Sequence, residues 1–245
     1  MKTKYIDDAF MISFPKAGRT WLRVMFAKLL EMGGGNPKKL ELIRYRHDGA
    51  DVQKYKQKKQ RWKDSRVILL IRDPRDVIVS FYFQITLREK KKWNYTKSIS
   101  KFIRDDRFGI KNIVDFYNFW WENKKVPKDF LLVKYEHLKI DPQWELMAMC
   151  QFLNIWDEIR DLDLNKVIQY SSFDSMKEMD HGKKDHLLSN KGGFNISGTD
   201  PERFKVRKGR VGGYVEYLSD LDIKYVTNQV HTRLSPLFGY HLETK

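Results

Sequence analysis

Cysteine is nearly absent from this chain: among 245 residues there is one, Cys150. A single cysteine excludes a disulfide within the chain and a cysteine-rich metal cluster, and it favours a reducing environment. Long apolar runs are also missing, since the longest, near Val67–Ile71, is far shorter than the roughly 18 residues that indicate a membrane-spanning helix. Residues 1–8 lack the apolar core of a signal peptide. We therefore expect a cytoplasmic protein without a membrane span.

Acidic residues are too few to balance the basic ones. The chain has 47 lysines and arginines against 32 aspartates and glutamates, a formal net charge of +15. Such a field attracts anions such as nucleotides, nucleic acids, acidic polysaccharides or lipid headgroups. Two basic segments, Lys54–Arg66 and Arg88–Arg104, are more typical of a solvated surface. In Arg203–Arg210, glycine and apolar residues interrupt the charges, so this segment is the better candidate for a site.

Alternating strands and helices predict the fold. Apolar runs at Phe10–Ile12, Val67–Ile71 and Phe130–Val133 are typical of buried strands, and helical patterns lie between them. This order predicts one domain over residues 1–245 with three layers, α/β/α, around a central, mostly parallel sheet. Ligands of such folds bind beyond the carboxyl ends of the strands.

Apolar spacing and capping residues predict the helices. The clearest helix repeats its apolar residues at helical spacing, at Leu22, Met25, Phe26 and Leu29. A second begins after Asp73, a capping residue, with Pro74 at its first position. Two more are predicted around Trp144–Leu153 and Leu164–Tyr170.

Two stretches read as irregular structure. Asn36–Asp64 is polar and carries no clear strand or helix pattern. Asp174–Phe204 is polar and contains four glycines, at 182, 192, 193 and 198. A loop of that length in a compact domain is usually functional or disordered. We expect Asp174–Phe204 to be a mobile loop over the site.

Residues Phe14–Trp21 are typical of a phosphate-binding loop. They join the first strand to the first helix, where unpaired backbone N–H groups and the positive end of the helix dipole attract an anion. Gly18 permits close approach, and Lys16 adds a charge. The common nucleoside-triphosphate loop places its lysine directly after the last glycine, whereas here Lys16 precedes Gly18. A plain strand-to-helix turn is the alternative interpretation.

Three separated segments carry the most specific pattern in the chain. Pro15–Trp21 reads P-K-A-G-R-T-W, Arg72–Ser80 reads R-D-P-R-D-V-I-V-S, and Arg207–Gly212 reads R-K-G-R-V-G. The set resembles the P-K-S-G-T-T-W, R-[ND]-P-x-D-x-x-x-S and R-K-G-x-x-G segments of sulfotransferases that use 3′-phosphoadenosine 5′-phosphosulfate (PAPS). The order is the same, and the segments span nearly the whole chain.

The resemblance implies a donor site with two anion-binding ends. The 5′-phosphosulfate would bind to the loop and helix N-terminus, at Lys16, Ala17, Gly18, Arg19, Thr20 and Trp21. The 3′-phosphate would bind to Arg72, Ser80, Arg207, Lys208 and Gly209. The adenine would lie among Trp21, Tyr135, Ser171 and Phe173. An ion pair between Arg72 and Asp76 is the alternative for Arg72, and ordinary packing is the alternative for the aromatic residues.

The resemblance also implies catalytic roles. His47 follows the first helix and precedes the second motif, as the family's histidine does, and would take the acceptor's proton as general base. His181, His186 and Asp48 are rival candidates. Lys16 would neutralise charge on the leaving phosphate oxygen. The products would be adenosine 3′,5′-bisphosphate (PAP) and a sulfated hydroxyl or amine, and no metal is expected.

Some residues depart from the family pattern, and they leave the acceptor open. Ala17–Thr20 stands where the family usually has Ser-Gly-Thr-Thr, Tyr45–His47 where animal enzymes have Lys-Thr-His, and Gly212–Tyr214 where Gly-Asp-Trp is common. The basic charge favours an acidic or sugar acceptor, whereas the aromatic run Phe81–Phe83 is equally suited to phenols or steroids. We expect a small-molecule or carbohydrate acceptor, and the sequence does not indicate an oligomeric state.

Two other functions compete with transfer from PAPS. A P-loop nucleotide kinase or hydrolase would need a lysine followed by serine or threonine, which is missing, and a metal-binding acid after a buried strand, for which Asp73 is available. A non-catalytic module that binds polyanions or nucleic acid would explain the charge but not the ordered motifs. We therefore expect no specific nucleic-acid partner.

Overall fold

Four parallel strands form the centre of the computed structural model, which describes residues 9–34, 43–47, 62–183, 187–188, 194 and 201–241. The strands are β1 (Ala9–Ser13), β2 (Arg44–Arg46), β3 (Arg66–Ile71) and β4 (Asp129–Lys134). Their order across the sheet is β2-β1-β3-β4, and every neighbouring pair is parallel. The carboxyl ends of the strands therefore meet at one edge. The predicted α/β architecture with a parallel central sheet is confirmed.

Helices flank this sheet. The longer ones are α1 (Arg19–Met32), α2 (Pro74–Phe83), α5 (Ile110–Glu122), α7 (Pro142–Phe152), α10 (Phe173–Asp180) and α11 (Asp220–Arg233). The shorter ones are α3 (Lys90–Trp93), α4 (Ile99–Phe102), α6 (Tyr135–Ile140), α8 (Trp156–Ile159) and α9 (Leu164–Tyr170). A π-helical turn covers Gln84–Arg88, and 3₁₀ turns cover Pro201–Arg203, Gly213–Glu216 and Pro236–Phe238.

The core lies against both faces of β3. Val67–Ile71 is fully buried, as its continuous apolar run predicts. The apolar face of α1 packs into the same core through its four predicted residues, Leu22, Met25, Phe26 and Leu29. The loops at the carboxyl ends of β1 and β3 are thereby fixed to a rigid base.

The cap at the start of α2 was predicted correctly. Asp73 accepts a hydrogen bond from the backbone N–H of Arg75 at 2.8 Å, and Pro74 occupies the first helical position. The Arg75 guanidinium also forms a buried ion pair with Asp73 at 2.7 Å. These contacts hold the turn that follows Ile71, where Arg72 leaves the sheet.

Two sequence predictions need correction. The polar stretch Asn36–Asp64 contains a strand, β2, at its described residues Arg44–Arg46. This strand is three residues long, too short for a pattern. Asp174–Phe204 is not a loop from its start, because Phe173–Asp180 forms α10, which buries Met176, Met179 and Asp180 on one face. Residues 184–186, 189–193 and 195–200 lie outside the described part of the chain.

Asp76 joins α2 to the carboxyl-terminal motif. Its Oδ2 accepts a hydrogen bond from the backbone N–H of Gly212 at 2.9 Å and one from Arg72 at 3.1 Å. Its Oδ1 accepts from the backbone N–H of Tyr214 at 3.1 Å. The carboxylate is buried, so these partners replace water around its charge. Asp76 therefore holds the third motif against the second, together with Arg72, which donates to the carbonyl of Arg210.

Replacing Asp76 with alanine should lower the free energy of unfolding by about 3 kcal/mol, because Arg72 would remain buried without its partner. Urea unfolding measures this loss. Asp129→Ala is the control, since its ion pair with Arg66 lies at the exposed end of β4 and should contribute less than about 1 kcal/mol. An equal loss of the free energy of unfolding in the two variants would show that Asp76 does not anchor the third motif.

Candidate functional site: an anion-binding cavity

One cavity of about 460 Å³ lies beyond the carboxyl ends of β1 and β3 and contains most of the predicted site. The predicted residues that line it are Lys16, Gly18, Arg19, Thr20, Trp21, His47, Arg72, Ser80, Tyr135, Ser171, Phe173, Arg207, Lys208 and Gly209. Ala17 does not line the cavity, because its side chain is fully buried in the core. The three motifs, remote in sequence, thus line one cavity.

The loop between β1 and α1 has an unusual backbone. Lys16 has a φ of 74° and Gly18 a φ of 108°, both in the left-handed region. The helix begins at Arg19 without a side-chain cap, so its first N–H groups are available for an anion. A Cβ on Gly18 would lie 2.6 Å from Cδ2 of Tyr135. Glycine is therefore required at position 18 for conformation and for space.

Gly18→Ala should weaken PAP binding by 10-fold or more and lower the free energy of unfolding by about 1–3 kcal/mol, since the methyl group must displace Tyr135. Isothermal titration with PAP and urea unfolding measure the two effects. Gly34→Ala is the matched control: it has a φ of +72°, but nothing lies within 4 Å of the added Cβ. If Gly34→Ala weakened PAP binding equally, contact with Tyr135 would not be the cause.

Lys16 lies in a strongly positive environment. It is half-buried in the cavity, and burial together with Arg88, Lys205 and Arg207 lowers its pKa to about 7. A bound anion would reverse this effect, since opposite charge favours the protonated amine. Lys16 is therefore suited to respond to a phosphate or to charge that develops during a reaction.

Arg72 lines the cavity where the chain leaves the carboxyl end of β3. Its Nη2 donates to Asp76 at 3.1 Å and to the carbonyl of Arg210 at 2.6 Å, while its Nε is buried without a partner among the described residues. Its guanidinium lies 4.4 Å from the ring centroid of Tyr135. The ion pair with Asp76 and a place in the cavity are therefore compatible, and Nε remains available as a donor.

The third motif brings further cations to the cavity. Arg207 donates to Oγ of Ser80 at 3.2 Å and to Glu202 at 2.7 Å. Lys208 is exposed and pairs with Glu216. Gly209 has a φ of 59°, and a Cβ there would lie 2.5 Å from Phe173. Arg72, Ser80 and Arg207 thus give the cavity a second group of hydrogen-bond donors, from motifs other than the β1–α1 loop.

Aromatic rings also line the cavity. The rings of Trp21 and Tyr135 meet edge to face with centroids 5.6 Å apart. Tyr135 also donates from Oη to the carbonyl of Gly209 at 3.3 Å. Phe173 packs on the backbone of Gly209, and the buried Ser171 donates to the carbonyl of Val167 at 2.9 Å. These residues provide flat apolar walls suited to a nucleobase.

His47 has a defined tautomer. Its Nδ1 lies 2.9 Å from the carbonyl oxygen of Ser13, which can only accept, so Nδ1 carries the proton. Its Nε2 lies 2.6 Å from Nη2 of Arg19, which can only donate, so Nε2 carries the lone pair. Burial and Arg19 lower the pKa of His47 to about 3. His47 is therefore a neutral imidazole whose Nε2 lone pair could accept a proton only when the bond to Arg19 is broken.

The rival bases do not lie in the cavity or are not described. His181 is exposed and stacks on Phe204 with ring centroids 3.9 Å apart, and it does not line the cavity. His186 and Asp48 lie outside the described residues. The aromatic run Phe81–Phe83, a candidate for the acceptor pocket, does not line the cavity, although the Phe83 ring packs behind its wall, 4.5 Å from the Arg207 guanidinium.

The described residues contain neither a metal-binding cluster nor a membrane-spanning helix. No cluster of three or more His, Cys, Asp or Glu side chains in that part of the chain is arranged to hold a metal ion. Its helices are all too short or too polar to cross a bilayer.

Comparison with known proteins assigns the family. The profile of the sulfotransferase domain matches residues 6–237. The chain belongs to this sulfotransferase family. It is 30% identical over 165 residues to Sulfotransferase 2A1 of Macaca fascicularis, an alignment that covers 63% of this chain and 51% of the relative. It is 26% identical over 200 residues to Sulfotransferase 1E1 of Rattus norvegicus, covering 70% and 66%.

The solved sulfotransferase structures share the fold. Mouse sulfotransferase SULT7A1, crystallised with PAP, superposes with a TM-score of 0.66 at 22% identity, covering 93% of this chain and 84% of that one. The alignments with the two curated relatives span about half to two-thirds of their length. The family and the fold are thereby established, and the activity and substrates of this sulfotransferase are argued below.

Three cations of this sulfotransferase site were not assigned to it from the sequence, and Asp76 was considered only as an ion-pair partner of Arg72. Arg23, Arg88 and Lys205 line the cavity, and Asp76 holds the second and third motifs together. Arg19 and Arg23 are four residues apart on one helix and therefore lie on the same face, so the sequence could have indicated that Arg23 reaches the site with Arg19. Lys205 lies in Arg203–Arg210, the basic segment singled out in the sequence, whereas Arg88 gave no signal, since it meets Lys16 only through the tertiary fold.

Proposed function

We propose that this protein transfers the sulfuryl group of PAPS to a hydroxyl or amine acceptor. The observation that carries the proposal is that one cavity is lined by two groups of anion-binding side chains from separate motifs, the β1–α1 loop and the group Arg72, Ser80 and Arg207. A nucleotide with both a 5′-phosphosulfate and a 3′-phosphate matches two such groups. A nucleotide with phosphates only at its 5′ end would leave the second group unused.

The residues present fit this donor. Lys16, Thr20 and the N–H groups at the start of α1 would hold the 5′-phosphosulfate. Arg72 supports the 3′-phosphate assignment, because its buried Nε has no partner among the residues that the structure describes and a phosphate oxygen would satisfy that donor. Trp21, Tyr135 and Phe173 would enclose the adenine, and the product nucleotide would be PAP.

His47 and Lys16 would have different roles in the transfer. His47 would take the acceptor's proton at Nε2, while its Nδ1–H remains bound to Ser13. The acceptor oxygen forms a bond to sulfur as the bond from sulfur to the 5′-phosphate oxygen breaks, in line, and that oxygen leaves with the electron pair. Lys16 would stabilise the negative charge on it. No step in this proposal uses a metal ion.

A cytosolic location for this sulfotransferase is part of the proposal. One relative, 27% identical over 186 residues, is named Cytosolic sulfotransferase 15, from Arabidopsis thaliana. The single cysteine, Cys150, is buried and free, which agrees with a reducing compartment.

The test is transfer of labelled sulfate from PAPS to pooled phenols, sugars, amines and lipids, together with thermal unfolding in the presence of PAP or ATP-magnesium. We expect labelled product, and we expect PAP to raise the Tm by mass action. A rise with ATP-magnesium and none with PAP would overturn the proposal in favour of a kinase or hydrolase. Tight binding of DNA or heparin, without transfer or a PAP effect, would indicate a polyanion-binding module.

A further inference from the structure

The cavity holds more positive charge than its acidic residues balance. Among the described residues, ten lysines and arginines line it, against the carboxylates of Asp76 and Glu89. Asp76 is already occupied by Arg72 and two backbone N–H groups. Glu89 accepts hydrogen bonds from Gln84 at 2.7 Å and from Trp93 at 2.6 Å. Both carboxylates therefore already have hydrogen-bond partners within the protein.

Much of this charge lies around the β1–α1 loop rather than at the 3′-phosphate end. The cations there are Lys16, Arg19, Arg23, Arg88 and Lys205. Burial, Arg88 and Arg23 lower the pKa of Lys205 to about 8, and burial with Arg23 lowers that of Arg19 to about 10. Asp180 faces Lys16 and Lys205 but also accepts the N–H of Val206 at 2.8 Å. In the described part of the chain, Asp180 and Glu89 are the carboxylates that act on Lys16, Arg88 and Lys205, so the field around this loop stays positive.

Arg19 connects this charge to the proposed base. Its Nη2 donates to Nε2 of His47 at 2.6 Å, while Nη1 is buried without a partner in the described part of the chain. As long as this bond exists, the lone pair of His47 is occupied. Arg23 lies one turn along the same helix, with its guanidinium 5.3 Å from the ring centroid of Tyr45. An anion that attracts Arg19 would therefore release Nε2.

We propose that the acceptor of this sulfotransferase carries an oxyanion, a carboxylate in the simplest case, that binds to Arg19, Arg23 and Lys205 beside His47; this inference rests on the function proposed above. The anion gives Arg19 a partner in exchange for His47, and His47 then accepts the proton of the neighbouring hydroxyl. A neutral acceptor offers Arg19 no comparable exchange. The family's usual Thr at position 19 could not act in this way, because it carries no charge.

Matched acceptors that differ only in charge test this inference. Labelled-sulfate transfer from PAPS is measured with 4-hydroxyphenylacetate against 4-hydroxyphenylacetamide, and with glucuronate against glucuronamide. The carboxylate should exceed its amide in kcat/KM by about 10- to 100-fold in at least one pair, the factor expected for hydrogen bonds to a charged group. Arg23→Gln and Lys205→Gln should each reduce this ratio about 10-fold or more.

The control removes a cation of the same cavity elsewhere. Lys139→Gln acts on a lysine whose Nζ lies 5.9 Å from the ring centroid of Trp21, and it should leave the ratio unchanged. Amides used as well as carboxylates, or carboxylates not used at all, would overturn the inference while the effect of PAP on the Tm is retained. Loss of both that effect and all transfer would overturn the proposed function itself.

Discussion

Replacing His47 with alanine should lower the rate of sulfuryl transfer by about 10²- to 10⁴-fold, the usual contribution of a general base. The affinity for PAP should change far less than the rate, since the hydrogen bonds of the ring go to Ser13 and Arg19, and the 3′-phosphate residues Arg72 and Arg207 keep their contacts. Single-turnover transfer from labelled PAPS measures the rate, and isothermal titration measures the affinity.

The pH profile gives the His47 prediction a second readout. Because the pKa of His47 is lowered to about 3, the ring is neutral throughout the range from weakly acidic to neutral pH. The wild-type rate should therefore show no loss of activity near the ordinary histidine pKa of about 6.5. His181→Ala is the control and should transfer sulfate normally. Transfer retained in His47→Ala would assign the base to another residue, with His181, His186 and Asp48 as the candidates.

Lys16→Met should lower kcat by about 10²- to 10³-fold, the cost of removing one charge-stabilising group from a transition state. It should also change how PAP binding depends on pH. The pKa of Lys16 is about 7 in the free protein, and a bound phosphate raises it. Between these two pKa values binding takes up a proton, so the affinity of the wild type should be highest below pH 7, fall as pH rises from about 7 to the pKa of the complex, and level off above it.

Titration of PAP in buffers of different ionisation enthalpy measures this proton uptake. Lys16→Met should lose part of the uptake, and the remainder belongs to Lys205, whose pKa is lowered to about 8. Lys139→Met is the matched control and should keep the wild-type pH dependence. An unchanged kcat in Lys16→Met would refute the role given to this lysine.

The motifs were readable from the sequence because each is a local signal. The β1–α1 loop combines an apolar run, a glycine and a helical repeat within a few residues, and the Asp73–Pro74 cap is a contact between neighbours. Ser80 and Arg207 were assigned to one site by family resemblance, and the fold brings them to 3.2 Å. Ala17 is the exception among the loop residues, because its small side chain points into the core.

The contacts that set the chemistry were not readable, because they join residues far apart in the chain. His47 meets Ser13 across 34 residues and Arg19 across 28, and only the pairing of β2 with β1 brings them together. The helix within Asp174–Phe204 was missed for a different reason. Its composition is polar, and its two methionines mark a short buried face that composition alone does not reveal.

The central claim is that one cavity binds a nucleotide by both its 5′ and its 3′ phosphates. The most direct test is the affinity for PAP compared with 5′-AMP, which lacks only the 3′-phosphate. We expect PAP to bind about 100-fold tighter than 5′-AMP or more, since Arg72 and Arg207 each supply a charged hydrogen bond worth about 1.5–3 kcal/mol. Equal affinity for the two nucleotides would contradict it.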